Sequence, residues 1–445
     1  LYANLLGNEA GRAIYDGGTL IASAGKMLAE GRRYSYADIQ ITSAVIDIDT
    51  TRSRRRQTSS YQPNIVEQQT GVIRCDFAFP SVTPSAGLAS NDSWEMSNSE
   101  KEEEFARAVS LGLFDYLRKS RSHGFVVSLS GGADSSSVAV LVTLAVRFGI
   151  AELGIEAFIN KLSTIPELPD QQPELIKRLL TCVYQSTRNS GEVTRTAANS
   201  LATALGADYL EFDVDAIVES YVDMVSASID RKLQWETDDI ALQNIQARAR
   251  APGIWMLANL RSALLLSTSN RSEAAVGYAT MDGDTSGGLA PIAGIDKAFL
   301  RHWLVWMEKK GPQDIGNFPA LSRVNEQQPT AELRPRESGQ TDESDLMPYD
   351  LLDAIERAAI RDKHMPLDVY RHIQILFPHY ESAQLAIWVE RFFKLWARNQ
   401  WKRERYAPSF HLDDENLDPK TWCRFPILSG GFQRELEELR QIVKK

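Results

Sequence analysis

Gly124-Phe-Val-Val-Ser-Leu-Ser-Gly-Gly-Ala-Asp-Ser-Ser-Ser-Val138 is the stretch around which the rest of the chain is organised. Phe125 to Leu129 is a short apolar, β-branched run, the composition of a buried parallel strand. From Val138 to Val146 the residues are apolar nearly all round, which predicts a buried helix ending at Gly149. Between them lies Ser130-Gly131-Gly132-Ala133-Asp134-Ser135, a small-residue turn leading from a strand into a helix. Such a corner binds anions, because glycines let a phosphate approach the backbone and unpaired N–H groups face it. Ser130, Ser135 and Ser136 supply hydroxyl donors, and Asp134 a hard oxygen ligand suited to Mg²⁺. No Gly-Lys-Ser/Thr follows, so this is not a Walker A loop. An ordinary strand–turn–helix corner is the plainer alternative, and the flanking strand and helix patterns favour the anion loop.

Ser-Gly-Gly-x-Asp-Ser resembles the pyrophosphate loop of the ATP pyrophosphatase superfamily, whose members cleave ATP to AMP and pyrophosphate. The resemblance implies an α/β fold with a doubly wound parallel sheet, like that of the adenine nucleotide α-hydrolases. The loop alone leaves asparagine, GMP, argininosuccinate and NAD synthetases open.

The length of 445 residues allows about three domains. Hydrophobic content of 43% and charged content of 24% describe an ordinary globular chain with ample material for a core. A net charge of −10 argues against non-specific nucleic-acid binding. No apolar run is read as long enough to span a membrane, and there is no signal-peptide pattern. Cys75, Cys182 and Cys423 are too far apart to suggest a disulfide framework or a zinc site, so a reducing, cytoplasmic setting is expected. The chain begins at Leu1, not Met, and reads as a fragment of a longer protein.

Leu1 to about Asp49 looks β-rich. Leu20-Ile21 follows a turn signal at Asp16-Gly17-Gly18, and period-2 character at Ile39 and Ile41 continues through Ala44, Ile46 and Ile48 after a phase slip. Leu1-Tyr-Ala-Asn-Leu-Leu-Gly7 and Ile14-Tyr-Asp-Gly-Gly-Thr19, before a Gly25-Lys26 turn, resemble the end of a nitrilase-type amidase domain. In that family a Glu–Lys–Cys set hydrolyses an amide. An unrelated sheet edge remains the alternative for this segment. Residues 1–78 are therefore expected to form the carboxyl-terminal part of a nitrilase-like glutaminase domain, 79–98 a linker, and 99–445 the catalytic domain. The cluster Arg52, Arg54, Arg55 and Arg56 reads as a solvated or interdomain face.

A helix opens at Ser99 with capping-box spacing to Glu102, and its buried stripe is Phe105, Val109, Leu113, Tyr116 and Leu117. Beyond the loop, strands are expected at Leu180–Tyr184, Tyr209–Val214 and Ala263–Ser267. Helices are expected over Glu192–Leu205 and Thr237–Arg261, the latter interrupted at Pro252. Strands separated by helices imply a parallel sheet with ligands at its carboxyl edge. Gln185-Ser-Thr-Arg-Asn-Ser190 lies at that edge, as an adenosine contact or a plain polar loop. Glu308 to Gln340, polar and Pro-punctuated, reads as a lid.

Three further stretches bear on the substrate. In Gln243-Asn-Ile-Gln-Ala-Arg-Ala-Arg250, Asn244 and Arg248 share a helix face that suits phosphate or ribose. Ser267-Thr-Ser-Asn-Arg-Ser-Glu-Ala-Ala-Val-Gly-Tyr-Ala-Thr-Met-Asp-Gly-Asp284, continued by Leu289-Ala-Pro-Ile-Ala-Gly-Ile-Asp-Lys297, is a second strand end with a Gly-rich loop. There Glu273 can complete a Mg²⁺ shell with Asp134, and Lys297 can neutralise phosphate charge. The third combines Pro329-Thr-Ala-Glu-Leu333 and Gln340-Thr-Asp-Glu343 with Gln400-Trp-Lys-Arg-Glu-Arg-Tyr-Ala-Pro408. Each stretch taken alone is also compatible with a solvated polar face.

Together, in order, they resemble NAD synthetase from about Ser99 to Phe432. By that resemblance Ser128, Leu129, Ser130, Gly131, Gly132, Ala133, Asp134, Ser135, Thr268, Lys297 and Thr330 contact ATP. Asp134 and Glu273 hold Mg²⁺. Asn244, Arg248, Glu273, Asp284, Trp401 and Lys402 contact deamido-NAD, and Asp134, Glu273 and Lys297 carry the catalysis. Met281 and Gly288 stand where smaller ammonia-dependent members carry Lys and Asp, and Trp401 stands in place of a His.

The implied reaction forms an adenylate on the nicotinate carboxylate with release of pyrophosphate, then an amide from ammonia, or from glutamine in the full-length protein. A dimer or higher homo-oligomer is implied as well. GMP synthetase-like enzymes share the loop but not the Thr268–Asp284 and Pro329–Glu343 stretches. A binding module without activity would keep the loop and release no pyrophosphate.

Overall fold

The computed structural model describes residues 1–8, 11–60, 75–78, 93–327, 333–334 and 342–443. It divides into two compact units, one formed by Leu1–Gly7 with Tyr15–Glu100, the other by Asn8–Ile14 with Lys101–Lys445.

The first unit holds short antiparallel strands: β1 (Tyr2–Ala3), β2 (Leu6–Gly7), β3 (Tyr15–Asp16), β4 (Thr19–Ser23) and β5 (Lys26–Glu30). β1, β4 and β5 form one sheet, and β2 and β3 another. Ala24 and Gly25, both with positive φ, make the tight turn between β4 and β5. The alternating run at Ile39–Ile48 is not a strand. Residues 39–47 carry no regular secondary structure, Ile39 and Ile41 are 78% and 89% exposed, and Asp47 caps a helix, α1 (Ile48–Gln57). A period-2 pattern makes a strand only where a neighbouring strand and a core face receive it. The arginine cluster lies on α1, exposed, with Arg54, Arg55 and Arg56 in its last turn. The linker expectation falls partly outside the described residues. Its end, Ser93–Met96, is a 3₁₀ turn that buries Trp94.

The second unit is built on a parallel sheet. α2 (Glu100–Ser120) buries Phe105, Val109, Leu113 and Leu117. β6 (Phe125–Ser128) follows, then α3 (Ala133–Leu153), α4 (Ile155–Lys161), α5 (Gln172–Leu179), β7 (Leu180–Ser186), α6 (Glu192–Leu205), β8 (Asp208–Asp213), α7 (Asp215–Ser228), α8 (Trp235–Leu260) and β9 (Leu264–Leu266). The strand order is β8-β7-β6-β9, all parallel. The chain moves outward from β6 through β7 to β8, then returns past its start to place β9 on the other side. Right-handed crossovers therefore put α3 and α6 on one face and α8 on the other. There Ile254 and Ala258 of α8 pack on Val126, Val183 and Leu265. The order reverses between β6 and β9, and the carboxyl ends of those two strands are where a crevice opens.

Three expectations are corrected here. α3 continues through Gly149 to Leu153 and stops at Gly154, whose φ is 78°. At 21 residues α3 is long and apolar enough to cross a membrane, contrary to the sequence reading; most of its apolar stretch is buried in the core. α8 is not interrupted at Pro252; its one non-helical residue is Asp238. Packing of Ala251, Ile254 and Ala258 holds the helix through the missing N–H.

The rest is mostly helical: α9 (Arg271–Val276), α10 (Lys297–Lys309), α11 (Ser322–Asn325), α12 (Asp342–Asp345), α13 (Tyr349–Glu356) with a π turn after it, α14 (Pro366–Leu376), α15 (Ser382–Arg398), α16 (Gln400–Arg403) and α17 (Gln433–Val443). Residues of α9, α13, α14, α15 and α17 share a second core around Tyr349, Leu352, Phe392 and Phe393. The supposed lid is built otherwise over residues 308–327. α10 runs into it, and Phe318, Leu321 and Val324 are buried. The remainder of that stretch lies mainly outside the described residues.

Candidate active site

The turn after β6 is held from within. Leu129 N–H donates to Val183 O at 2.9 Å, Ser130 N–H donates to Ser135 Oγ at 3.1 Å, and Gly132 N–H donates to Ser130 Oγ at 3.3 Å. Gly131 has φ +82°, and a Cβ there would collide with Thr194 O. Glycine is required at this position by both strain and space. Gly132 caps α3 without a side-chain bond, so the first N–H groups of that helix are left for a ligand.

Across the crevice, β9 ends at Leu266 and Asn270 caps α9, its Oδ1 accepting from Glu273 N–H at 2.9 Å. The amide of Asn270 also donates to Asp134 Oδ1 at 3.1 Å, tying the two strand ends together. Lys297, at the start of α10, is 3% exposed, and its Nζ is bonded to Asp134 Oδ2 and lies 3.2 Å from Glu273 Oε1. Two carboxylates thus converge on one cation. Burial pushes Glu273 up to about 8, opposed by Lys297 and reinforced by Asp134 and Asp342. Burial also pushes Asp342 up to about 6. Burial alone would lower Lys297, but Asp134 and Glu273 outweigh it and its pKa rises. Among the described residues no group of three or more His, Cys, Asp or Glu forms a ready metal cage.

A cavity of about 600 Å³ opens over this cluster. It brings together Ser128, Ser130, Asp134, Thr268, Glu273, Asn244, Asp284 and Lys402. Asn244 Oδ1 accepts from Thr280 Oγ1 at 2.8 Å, and Asp284 accepts from Thr280 N–H at 2.8 Å. Lys402 Nζ donates to the carbonyls of Gly277 and Ala279 at 2.6 and 2.7 Å, clasping the end of α9, and burial lowers its pKa. Arg248 and Trp401 line an adjoining pocket of about 270 Å³ with Asn244, Met281 and Lys402, where Arg248 Nε donates to Met281 O at 3.0 Å. Gly132 and Ala133 face a third cavity of about 340 Å³.

Leu129, Gly131 and Ser135 shape the loop and line neither large cavity, and the Ser136 hydroxyl is buried in the core. Thr330 lies outside the described residues. Met281 is 2% exposed and Gly288 N–H is spent on Leu265 O, so neither presents a polar group to the cavity.

Sequence reasoning missed three residues. Asn270 was legible as a cap, since Asn stands three residues before Glu273. Asp342, which accepts from Tyr278 and Tyr349 hydroxyls at 3.5 and 3.4 Å, had no separate signal. Arg250, two residues past Arg248, lines both the 600 Å³ and the 340 Å³ cavities, as does Gln185. Gln185 Nε2 donates to Ser128 Oγ at 2.9 Å, while its buried Oε1 has no partner among the described residues.

The class this geometry defines is a parallel-sheet α/β protein with an anion loop facing a shared carboxylate–ammonium cluster at the switch point. Residues 105–405 match the family model described as NAD synthase, more than half of the chain, and the chain belongs to that family. It is 31% identical to the glutamine-dependent NAD(+) synthetase of Oryza sativa subsp. indica over 93% of this chain and 59% of that one. It is 29% identical to the human enzyme of that description, over 94% and 62%. The crystal structure of a glutamine-dependent NAD(+) synthetase from Cytophaga hutchinsonii is 44% identical, with a TM-score of 0.77, over 98% of this chain and 64% of that one. The chain thus spans about three-fifths of the length of these relatives.

Proposed function

We propose that this chain carries the synthetase activity of a glutamine-dependent NAD synthetase: it amidates deamido-NAD to NAD at the expense of ATP. The observation that carries the reading is the convergence of Glu273 and Lys297 on Asp134 of the Ser130–Ser135 loop, at the switch point between β6 and β9. In the first step a nicotinate carboxylate oxygen bonds to the α-phosphorus of ATP. The bond from that phosphorus to the bridging oxygen breaks, and its electron pair leaves with pyrophosphate. In the second step ammonia adds to the activated carbonyl, AMP departs with the electron pair of the C–O bond, and the surplus proton passes to solvent. No protein nucleophile is needed, since positioning and charge do the work.

Mg²⁺ fits Asp134 and Glu273. Their oxygens already share one cation, the Lys297 ammonium, and a magnesium site of this kind takes one or two carboxylates and completes its shell with phosphate oxygens. Bound there, the metal would offset charge on the phosphates. The Ala133 N–H, at the start of α3, and Lys297 supply donors to the same oxygens. The unpartnered Gln185 Oε1 suits an exocyclic amine, which supports an adenosine contact. Asn244, Asp284 and Lys402 place polar groups where the dinucleotide would lie, and Arg248 and Trp401 flank them.

Residues 1–78 are proposed to be the carboxyl-terminal part of a nitrilase-like glutaminase domain. The antiparallel β4–β5 hairpin and the greater length of the relatives support that assignment. The doubly wound, adenine nucleotide α-hydrolase-like description and a cytoplasmic setting belong to the same reading. So does a homo-oligomer, supported by the exposed apolar residues Ile217, Tyr221 and Met224 of α7. The test is to supply Mg·ATP, deamido-NAD and ammonium and to follow NAD, AMP and pyrophosphate. Asp134→Asn keeps the shape and removes the charge, and it should stop pyrophosphate release.

A further inference from the structure

The anion loop has a cavity on each side, and the two differ in charge. Among the described residues, five carboxylates line the larger one, Asp134, Glu273, Asp284, Asp342 and Asp345, against Arg250, Arg334 and Lys402. The smaller has one among the described residues, Asp350, against Arg250, Arg301 and His302, together with the hydroxyls of Ser128, Ser130, Ser190 and Thr194. Both cavities are lined by Ser128, Ser130, Gln185 and Arg250. The first turn of α3 divides them, Gly132 and Ala133 facing the smaller and Asp134 the larger.

Displacement at phosphorus is in line, with nucleophile and leaving group on opposite sides of the reacting atom. A carboxylate attacking from the larger cavity therefore drives the leaving group toward the smaller. We propose that pyrophosphate passes into this smaller chamber and is released through it, held there by Arg301. The inference rests on the reaction assigned above and adds a separate exit to it.

Arg301 lies one turn after Lys297 on α10, so the two cations face the loop from the same side of one helix. Its ion pair with Glu343 is long, 3.6 Å, and both side chains are 42% exposed. Such a pair is weak enough for the guanidinium to turn to a phosphate. His302, by contrast, is held to Glu102 Oε1 at 2.8 Å.

The test uses the 445-residue chain and three variants, Arg301→Met, Arg301→Lys and Asp350→Lys, each checked for an unchanged melting curve. Binding of magnesium pyrophosphate is measured by calorimetry, and inhibition of ammonium-dependent NAD formation by pyrophosphate and by AMP. Arg301→Met should weaken pyrophosphate binding and inhibition about tenfold, with AMP inhibition and the KM for deamido-NAD unchanged within about twofold. Arg301→Lys should recover most of the loss, and Asp350→Lys should tighten pyrophosphate several-fold. Pyrophosphate affinity unchanged in Arg301→Met, or AMP inhibition weakened by the same factor, overturns the proposal. If the wild-type chain makes no NAD the assigned reaction falls, and the calorimetric comparison still decides whether this chamber takes pyrophosphate.

Discussion

Gly131 and Gly132 stand side by side in the loop but answer to different constraints. A Cβ on Gly131 would meet the Thr194 carbonyl from a left-handed backbone, whereas one on Gly132 would make only an ordinary contact with Ser130 Oγ at 3.5 Å. Gly131→Ala should therefore cost about 1–3 kcal/mol in urea unfolding, and Gly132→Ala less than about 1. Equal effects would show that the loop yields at Gly131. Lys402 is bonded to two backbone carbonyls, so Lys402→Ala removes two charged hydrogen bonds, each worth about 1.5–3 kcal/mol. It should raise the KM for deamido-NAD, and a rise confined to ATP would contradict the assignment. The sequence pointed to Arg248, yet Arg250 is the arginine that lines both chambers. Two residues on a helix point some 200° apart, and only the packing of α8 on the sheet decides which faces the crevice.

Elements were legible where local pattern and tertiary setting agree. β6, the turn that follows it and α6 came out as read, because each carries its own strand, turn or helix signal. The run at Ile39–Ile48 and the break at Pro252 did not, since a strand needs a partner and a proline can be held by packing. Two elements carry predictions of their own. Arg271, the first residue of α9, is 2% exposed and sits among Asp296, Glu356, Asp413 and Glu415. Arg271→Met leaves those carboxylates uncompensated and should cost about 3–5 kcal/mol of stability in urea unfolding. A near-neutral result would mean that they are protonated in the native state.

α17 is held to α15 by Arg440, 2.7 Å from Glu390, which Lys394 also pairs. Hydrogen bonding from Arg440, then from Lys394, lowers Glu390 to about 2 against burial. A carboxylate with a depressed folded pKa stabilises above its unfolded value, here 4.5, and that contribution is lost as pH falls from there toward 2. Arg440→Ala should destabilise slightly at pH 7, and the difference from wild type should shrink below pH 4.5. A difference independent of pH would assign it to packing of the arginine stem.

At the scale of the whole molecule the nitrogen source is decided by which nucleophiles the chain has. An amidase of the resembled type needs an activated thiol. Cys182 and Cys423 are buried, with thiols pushed up mainly by burial, and Cys75 is exposed. The 445-residue polypeptide should therefore make NAD from ammonium and not from ammonia-free glutamine, and equal yields from both would reveal an amidase site among these residues. The parallel sheet and its switch point could be inferred from alternating segments, whereas the division of the crevice into two chambers could not. It depends on side chains from α3, α8 and α10 meeting across long stretches of sequence. The most direct measurement is product stoichiometry with ammonium, deamido-NAD and Mg·ATP. One AMP and one pyrophosphate are expected for each NAD, all abolished by Asp134→Asn. ADP and phosphate in their place, or pyrophosphate release undiminished in Asp134→Asn, would contradict the proposed reaction.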